Sequence, residues 1–445
     1  MTFTTTYIRN IQGQPVIQVP EGAVVHAPGL RNICPTLLPD PRLITTKLTK
    51  EGELEICGVP IKDLVKWKLE EALKLIWDIP ELQWRQETLS IALIKRMKFH
   101  LGEGDSPMSI LADCLRQFSN PKYNKLTEAD YKNPMTFYIA SVQIVSALHR
   151  LKTGKDPSKI VFKKGAPLVE SFAVAMFGED YLEVNAQKKL EVLQKILILH
   201  IHHGTPHSTF EGLSAQSAGA GFNQSLGSAV EALGRPLHGG ANFEVIKQFW
   251  AIHKYRGSTL AEKAESYAKE NKILMGFGHP VYAVTDPRAT EMNAMLMEMQ
   301  NQNCGRNYAP LKETAFALQN YVLDVRNMQP GVKKKLYPNV DFFSGIVYEW
   351  LKVNPEFNTL MFWAGRCPSI IAYLQMHHKL RIMRCKALVL NPKGYQSTIK
   401  KKISQAYKKR SKELSSEPKE ASGGQGKSRS RSGTQGPGHV MTSKL

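Results

Sequence analysis

Paired cysteines are missing from this 445-residue chain. Its six cysteines, Cys34, Cys57, Cys114, Cys304, Cys367 and Cys385, form no CxxC pair and keep no regular spacing. A disulfide scaffold and a zinc ribbon are therefore poor readings, and free, mostly buried thiols in a reducing compartment are expected. Long apolar runs are lacking too. The best candidate, 361–374, contains Arg366 and falls short of the roughly 20 residues that span a bilayer. No basic-then-apolar leader opens the chain, and the single early Arg9 makes a poor transit peptide. These absences point to a soluble protein. Strand-like alternation is also scarce, which argues against an all-β fold.

Acidic residues are outnumbered, with 39 Asp and Glu against 59 Lys and Arg and a formal net charge of +20. That sum resembles a nucleic-acid binder, but it is unevenly spread. Residues 398–445 hold 12 Lys or Arg against 3 Glu, so the body of the chain carries only a modest excess suited to anionic metabolites. The terminal stretch contains Lys400-Lys401-Lys402, Lys408-Lys409-Arg410 and Ser428-Arg429-Ser430-Arg431-Ser432. With so little apolar surface to offset ordering entropy, it reads as a disordered basic tail. The Ser-Arg repeats could hold RNA or an anionic surface, yet no recognition fold or aromatic stacking motif accompanies them, so nucleic acid is not the expected partner. The chain closes on Ser443-Lys444-Leu445. A C-terminal SKL is an address read by the peroxisomal import receptor, and the plainer alternative is a chance ending in a cytoplasmic protein.

Residues 1–55 read as an irregular lead-in with minor strands, one of them around Val16 and Gln18. Beyond them the periodicity is helical. Ile61, Leu64, Val65, Leu69, Ala72, Leu73 and Ile76 follow the i, i+3, i+4 rhythm of one continuous buried face. Similar faces are predicted over 86–100, 134–151, 168–177, 187–200, 258–270, 288–302, 311–327 and 342–353. Gly and Pro punctuate them at 204–206, 234–240, 276–280 and 330–338. No internal repeat is present, and the fold class is all-α.

Chemistry-bearing residues gather beside glycine in three segments: Pro236-Leu237-His238-Gly239-Gly240-Ala241-Asn242, Gly276-Phe277-Gly278-His279, and Asn339-Val340-Asp341-Phe342-Phe343-Ser344-Gly345. Asp286-Pro287-Arg288 follows the second closely. Asp341 stands in an apolar run, where desolvation would raise its pKa and strengthen it as a base; it could also cap a helix starting at 342. The glycines after His238 would allow close approach of substrate and backbone. In this order the segments resemble the citrate synthase family in its bacterial-type form, over about residues 29–391. Gly58-Val59-Pro60-Ile61-Lys62-Asp63-Leu64 is similar to a family turn, and Gly104-Asp105-Ser106-Pro107-Met108 carries Ser106 where the family usually has histidine.

The resemblance implies an all-α homodimer with a large domain (56–240 and 353–397) and a smaller, mobile one (241–352). It implies Claisen-type condensation of an acyl-CoA with oxaloacetate, then thioester hydrolysis, with acyl-CoA as co-substrate and no permanently bound cofactor. Asp341 would be the base, His238 the donor to the thioester oxygen and His279 the donor to the ketone oxygen. His203, Arg288 and Arg366 would hold oxaloacetate. Arg384 would reach across the dimer interface, although Cys385 replaces the proline that normally follows. Leu274, Gly276 and Gly278 would cradle CoA.

The segment Leu199-His200-Ile201-His202-His203-Gly204-Thr205-Pro206-His207-Ser208-Thr209-Phe210 departs most from the family pattern. His200, His203 and Ser208 match, whereas His202, Gly204 and Pro206 replace an aspartate, a glutamate and an asparagine. Pro280 and Ala283 stand where bacterial members usually carry basic residues. His200, His203 and His207 would share a helical face, but Pro206 interrupts it and no carboxylate is near in sequence, so no metal is expected. A retained trio with an altered loop suggests retained chemistry on a changed substrate, with 2-alkylcitrate formation from longer acyl-CoAs slightly favoured. A glyoxylate-cycle citrate synthase using acetyl-CoA and a non-catalytic relative remain the alternatives.

Overall fold

Helices carry the chain from Ile61 onward, preceded by a few short strands. The computed structural model describes residues 6–9, 15–19, 46–84, 89–124, 126–162, 165–271, 273–376 and 382–383. Two compact units divide the chain, Met1–Cys385 and Lys386–Leu445, and every described residue falls in the first. Cys34, Arg384, Cys385, the 398–445 tail and its Ser443-Lys444-Leu445 end lie outside the described residues. Strands Thr6–Arg9 and Pro15–Val19 pair antiparallel. Thr46–Leu48, Leu54–Ile56 and Val59–Pro60 form a three-stranded sheet.

The all-α reading holds, with boundaries moved by capping chemistry. The predicted 168–177 helix is Leu168–Phe177 and the 134–151 helix is Pro134–Lys152. Thr259 and Glu262 close a capping box that starts the Leu260–Glu270 helix, each satisfying a backbone donor the first turn leaves open. All seven residues of the predicted 61–76 face are buried, but not on one helix. Lys66 and Trp67 donate to Asp63 and Leu64, i to i−3 bonds that tighten the last turn and end it. A second helix, Leu69–Trp77, then begins. The 311–327 face likewise divides into Tyr308–Asn320, a π turn at Tyr321–Val325 and a 3₁₀ turn at Arg326–Met328.

The Asn358–Met376 helix runs through the core, buried from Asn358 to Leu374. It packs against Leu69–Trp77, Pro134–Lys152, Ala186–His200, His207–Ser217 and Phe222–Leu233. Being apolar on every side, it has no polar stripe to announce it. Pro368 cannot donate to the Ala364 carbonyl; Cys367 Sγ approaches that oxygen at 3.8 Å, and Trp77 Nε1 donates to Pro368 O at 2.9 Å. Gly365 lets this helix meet Ala186–His200, because a Cβ there would lie 2.7 Å from His200 Cβ. A second group of helices, Ala241–His253, Leu260–Glu270, Pro287–Glu298, Tyr308–Asn320 and Val340–Trp350, packs among itself. Among the described residues no helix is long and apolar enough to cross a membrane, and Cys114, Cys304 and Cys367 are free thiols.

Candidate active site

Asp341 is placed by its neighbour. Asn339 caps the Val340–Trp350 helix, accepting the Asp341 N–H at 3.0 Å. The helix therefore starts two residues earlier than predicted, and Asp341 lies in its first turn rather than at the cap. The same asparagine ties the helix to the glycine segment: its N–H donates to Gly276 O at 2.8 Å and its Nδ2 to Gly278 O at 3.0 Å. Gly278 N–H donates to Tyr337 O at 2.8 Å, and Asp286 N–H to Pro338 O at 3.0 Å. Gly276 sits at φ +80°, where a Cβ would lie 2.9 Å from Phe342 Cα. Only glycine combines that conformation with that approach.

These contacts open onto a cavity of about 590 Å³. Nine of the sequence-predicted residues line it: His203, His238, Leu274, Gly276, Gly278, His279, Arg288, Asp341 and Arg366. The tenth, Arg384, lies outside the described residues. Among the described residues Asp341 is its one carboxylate, sharing the lining with two guanidinium groups and the imidazoles of His203, His207, His238 and His279. Burial pushes the Asp341 carboxyl up to about 7 against the opposing pull of Arg288 and Arg366. Its Oδ1 is buried without a hydrogen-bond partner among the described residues, which suits a group that must accept a proton.

His238 is oriented by Ser208, whose N–H donates to Nε2 at 3.2 Å and whose hydroxyl lies 2.9 Å from the same nitrogen. Burial, with Arg366 and His207 nearby, lowers its pKa to about 3. The ring is thus neutral, with Nε2 as acceptor and its proton on Nδ1. Gly239 and Gly240 do not line the cavity, contrary to the sequence reading. A Cβ on them would meet Leu233 and the Arg235 carbonyl at 2.7 Å, so their smallness serves the packing of the loop against its own preceding helix. His279 Nδ1 accepts the N–H groups of Val281 at 3.0 Å and Tyr282 at 3.2 Å.

Arg288 is 3% exposed and forked by Asp286, through Nε at 3.0 Å and Nη2 at 2.6 Å. Arg366 is 2% exposed, donates from Nε to His200 O at 2.6 Å, and lies 5.0 Å from the Phe362 ring centre. Burial and the neighbouring Arg288 push its pKa down to about 9. Two guanidinium groups held this close in a desolvated site favour an anion between them.

The histidine-rich loop differs most from expectation. The Ala186–His200 helix stops at His200 and the next begins at His207, so His200, His203 and His207 share no face. His200 Nδ1 bonds Ile196 O at 2.7 Å, and His202 Nε2 meets Thr46 Oγ1 at 2.5 Å. His203 Nε2 meets Tyr282 OH at 2.9 Å. A carboxylate is near after all: ligand atoms of His203, His279 and Asp286 lie within 4.8 Å of one another. Both Asp286 oxygens already accept from Arg288, whose charge opposes a cation there. Ser106 caps the Pro107–Gln117 helix, accepting Ser109 N–H at 3.2 Å. Tyr282 was not singled out from sequence, and Ser208, Asp286 and Asn339 stood inside quoted motifs without the supporting roles seen here. Tyr282 and Ser208 reach His203 and His238 across long stretches of chain.

Comparison with known proteins bears on the family and the fold. The family model for the citrate synthase C-terminal domain matches residues 42–386. Citrate synthase 2 of Bacillus subtilis is 26% identical over 362 residues, 77% of this chain and 91% of the relative. A citrate synthase of Corynebacterium glutamicum is 32% identical over 285 residues, 60% of this chain and 61% of the relative. Among solved structures, citrate synthase from Thermoplasma acidophilum, a ternary complex with carboxymethyl coenzyme A and oxaloacetate, aligns with a TM-score of 0.66 at 23% identity. That alignment covers 80% of this chain and 95% of the other. The enzyme from Pyrobaculum aerophilum aligns with a TM-score of 0.62 at 22% identity, over 88% and 96%. At these identities the structural likeness speaks for the fold, the all-α two-domain architecture of those proteins. With the family model matching most of its length, this chain belongs to the citrate synthase family.

Proposed function

We propose that this protein condenses the α-carbon of an acyl-CoA with the ketone of oxaloacetate and then hydrolyses the thioester, releasing CoA and a citrate or 2-alkylcitrate. One observation carries the reading: among the described residues, one carboxylate, its pKa raised, shares a cavity with four imidazoles and two buried guanidinium groups. Asp341 takes the α-proton while His238 donates from Nδ1 to the thioester oxygen, so charge on the forming enolate is neutralised as it appears. The carbon then attacks the ketone, and His279 donates to the oxygen that becomes an alkoxide. Arg288, Arg366 and His203 hold the two carboxylates, and Leu274, Gly276 and Gly278 take the CoA side. Arg384 supplying an arginine across a homodimer interface belongs to the same reading. Water finally adds to the thioester carbonyl and the CoA thiolate leaves, taking up a proton.

Longer acyl groups are slightly favoured as substrate. Supporting this is an apolar rim of Leu48, Leu237, Ile273 and Val281 on the cavity, with the buried Phe362 deeper in its wall. Leu237 is 92% exposed and Ile273 73%, large apolar side chains that gain from a hydrocarbon cover. The test is thiol release with oxaloacetate and acyl-CoAs from acetyl upward. Higher kcat/KM for long chains is the expected outcome. A preference for acetyl-CoA would make it an ordinary citrate synthase, and no release across the series would sink the condensing reading.

A further inference from the structure

Tyr282 touches both histidines assigned to oxaloacetate, yet it does not line the cavity that they line. Its hydroxyl lies 2.9 Å from His203 Nε2. Its ring stacks on His279, with centroids 4.4 Å apart and planes at 26°, and its backbone N–H is one of the two that His279 Nδ1 accepts. The imidazoles of His203 and His279 meet edge to face at 5.1 Å. The tyrosine itself is 5% exposed. A single residue therefore grips one histidine by its side chain and the other by its backbone and ring face.

Such contacts decide tautomers. A neutral imidazole offers one N–H donor and one acceptor nitrogen, and whatever occupies one nitrogen fixes the role of the other. His279 Nδ1 accepts two backbone N–H groups, so its proton resides on Nε2. His203 Nε2 faces a buried phenol O–H; accepting from it leaves the His203 proton on Nδ1. A dianion needs donors, and these are the two nitrogens that can supply them. We propose that Tyr282 is the positioning residue that holds His203 as the Nδ1–H tautomer and His279 as the Nε2–H tautomer, presenting both as donors to oxaloacetate. The role of the donors rests on the condensing reading, whereas the tautomers do not.

Tyr282→Phe removes the hydroxyl and keeps the ring and the backbone N–H. In the full-length protein the oxaloacetate KM should rise about tenfold, the effect of one misdirected hydrogen bond, while the acyl-CoA KM stays unchanged. An unaltered oxaloacetate KM, or an equal rise for both substrates, would overturn the proposal. Long-range proton–nitrogen NMR of histidine-labelled protein reads the tautomers without any turnover. His203 should be Nδ1–H in the parent and lose that preference in Tyr282→Phe, with His279 remaining Nε2–H in both. A parent His203 protonated at Nε2 would overturn the assignment. A protein that released no thiol yet showed the expected tautomers would refute the condensing reading and leave the positioning intact.

Discussion

Asp341 works against its surroundings. Helix N-termini stabilise carboxylates, and two guanidinium groups pull in the same direction, yet burial dominates and holds the pKa near 7. The sign of the consequence follows. Between the ordinary carboxylate pKa near 4 and about 7, the folded protein keeps a proton that the unfolded chain gives up. Stability therefore falls as pH rises through that window. Asp341→Asn should flatten this dependence, so the variant melts above the parent at pH 8 and alongside it at pH 4, by calorimetry. The same change should lower kcat by at least about 10³-fold, within the range of a lost general base. In the parent, kcat/KM should climb with pH to a plateau above about 7. A variant that retained turnover would move the base elsewhere.

At the scale of elements, glycine decides what lies close to the base. Gly276→Ala adds both left-handed strain and a Cβ 2.9 Å from Phe342 Cα, on the helix that carries Asp341. Gly58, at φ +78°, has nothing within 4 Å of its added Cβ and serves as the control. Each alanine should cost about 1–2 kcal/mol of stability through strain alone, and Gly276→Ala more because backbone must move. Only Gly276→Ala should also depress kcat, and an equal kcat in both variants would show that the packing does not position the base. The cavity residues were legible because most stand in short segments punctuated by glycine or proline whose order is distinctive. The supports were not legible. Ser208 reaches His238, and Tyr282 reaches His203, across stretches that carry no periodic signal; Ser208 stood out only as a matching position, and nothing local marks Tyr282. The break expected at Pro206 between His200 and His207 is present, but the helix ends earlier, at His200. Asn358–Met376 escaped notice because a helix buried on all sides shows no amphipathic pattern.

At the scale of the molecule, charge and chemistry separate along the chain. The cavity belongs to residues 48–366, whereas the Lys- and Arg-rich end lies beyond residue 397. Truncation at about 397 should leave thiol release unchanged and abolish import of a fluorescent fusion into peroxisomes, since the last three residues form the proposed address. Loss of turnover in the truncated protein would tie the tail to the body.

The four backbone and side-chain bonds that join Gly276, Gly278 and Asp286 to Tyr337, Pro338 and Asn339 have a mechanical meaning. They fasten the base and the ketone-side histidine into one piece, while Ser208 braces His238 in the turn before the Ala241–His253 helix and His200 holds Arg366 on the Asn358–Met376 helix. A shift between these parts changes the gap from Asp341 to the thioester donor and leaves its gap to His279 nearly constant. In the proposed reaction the fold fixes the spacing of base and ketone-side donor through one bonded segment, whereas the spacing of base and thioester donor depends on how separate elements pack.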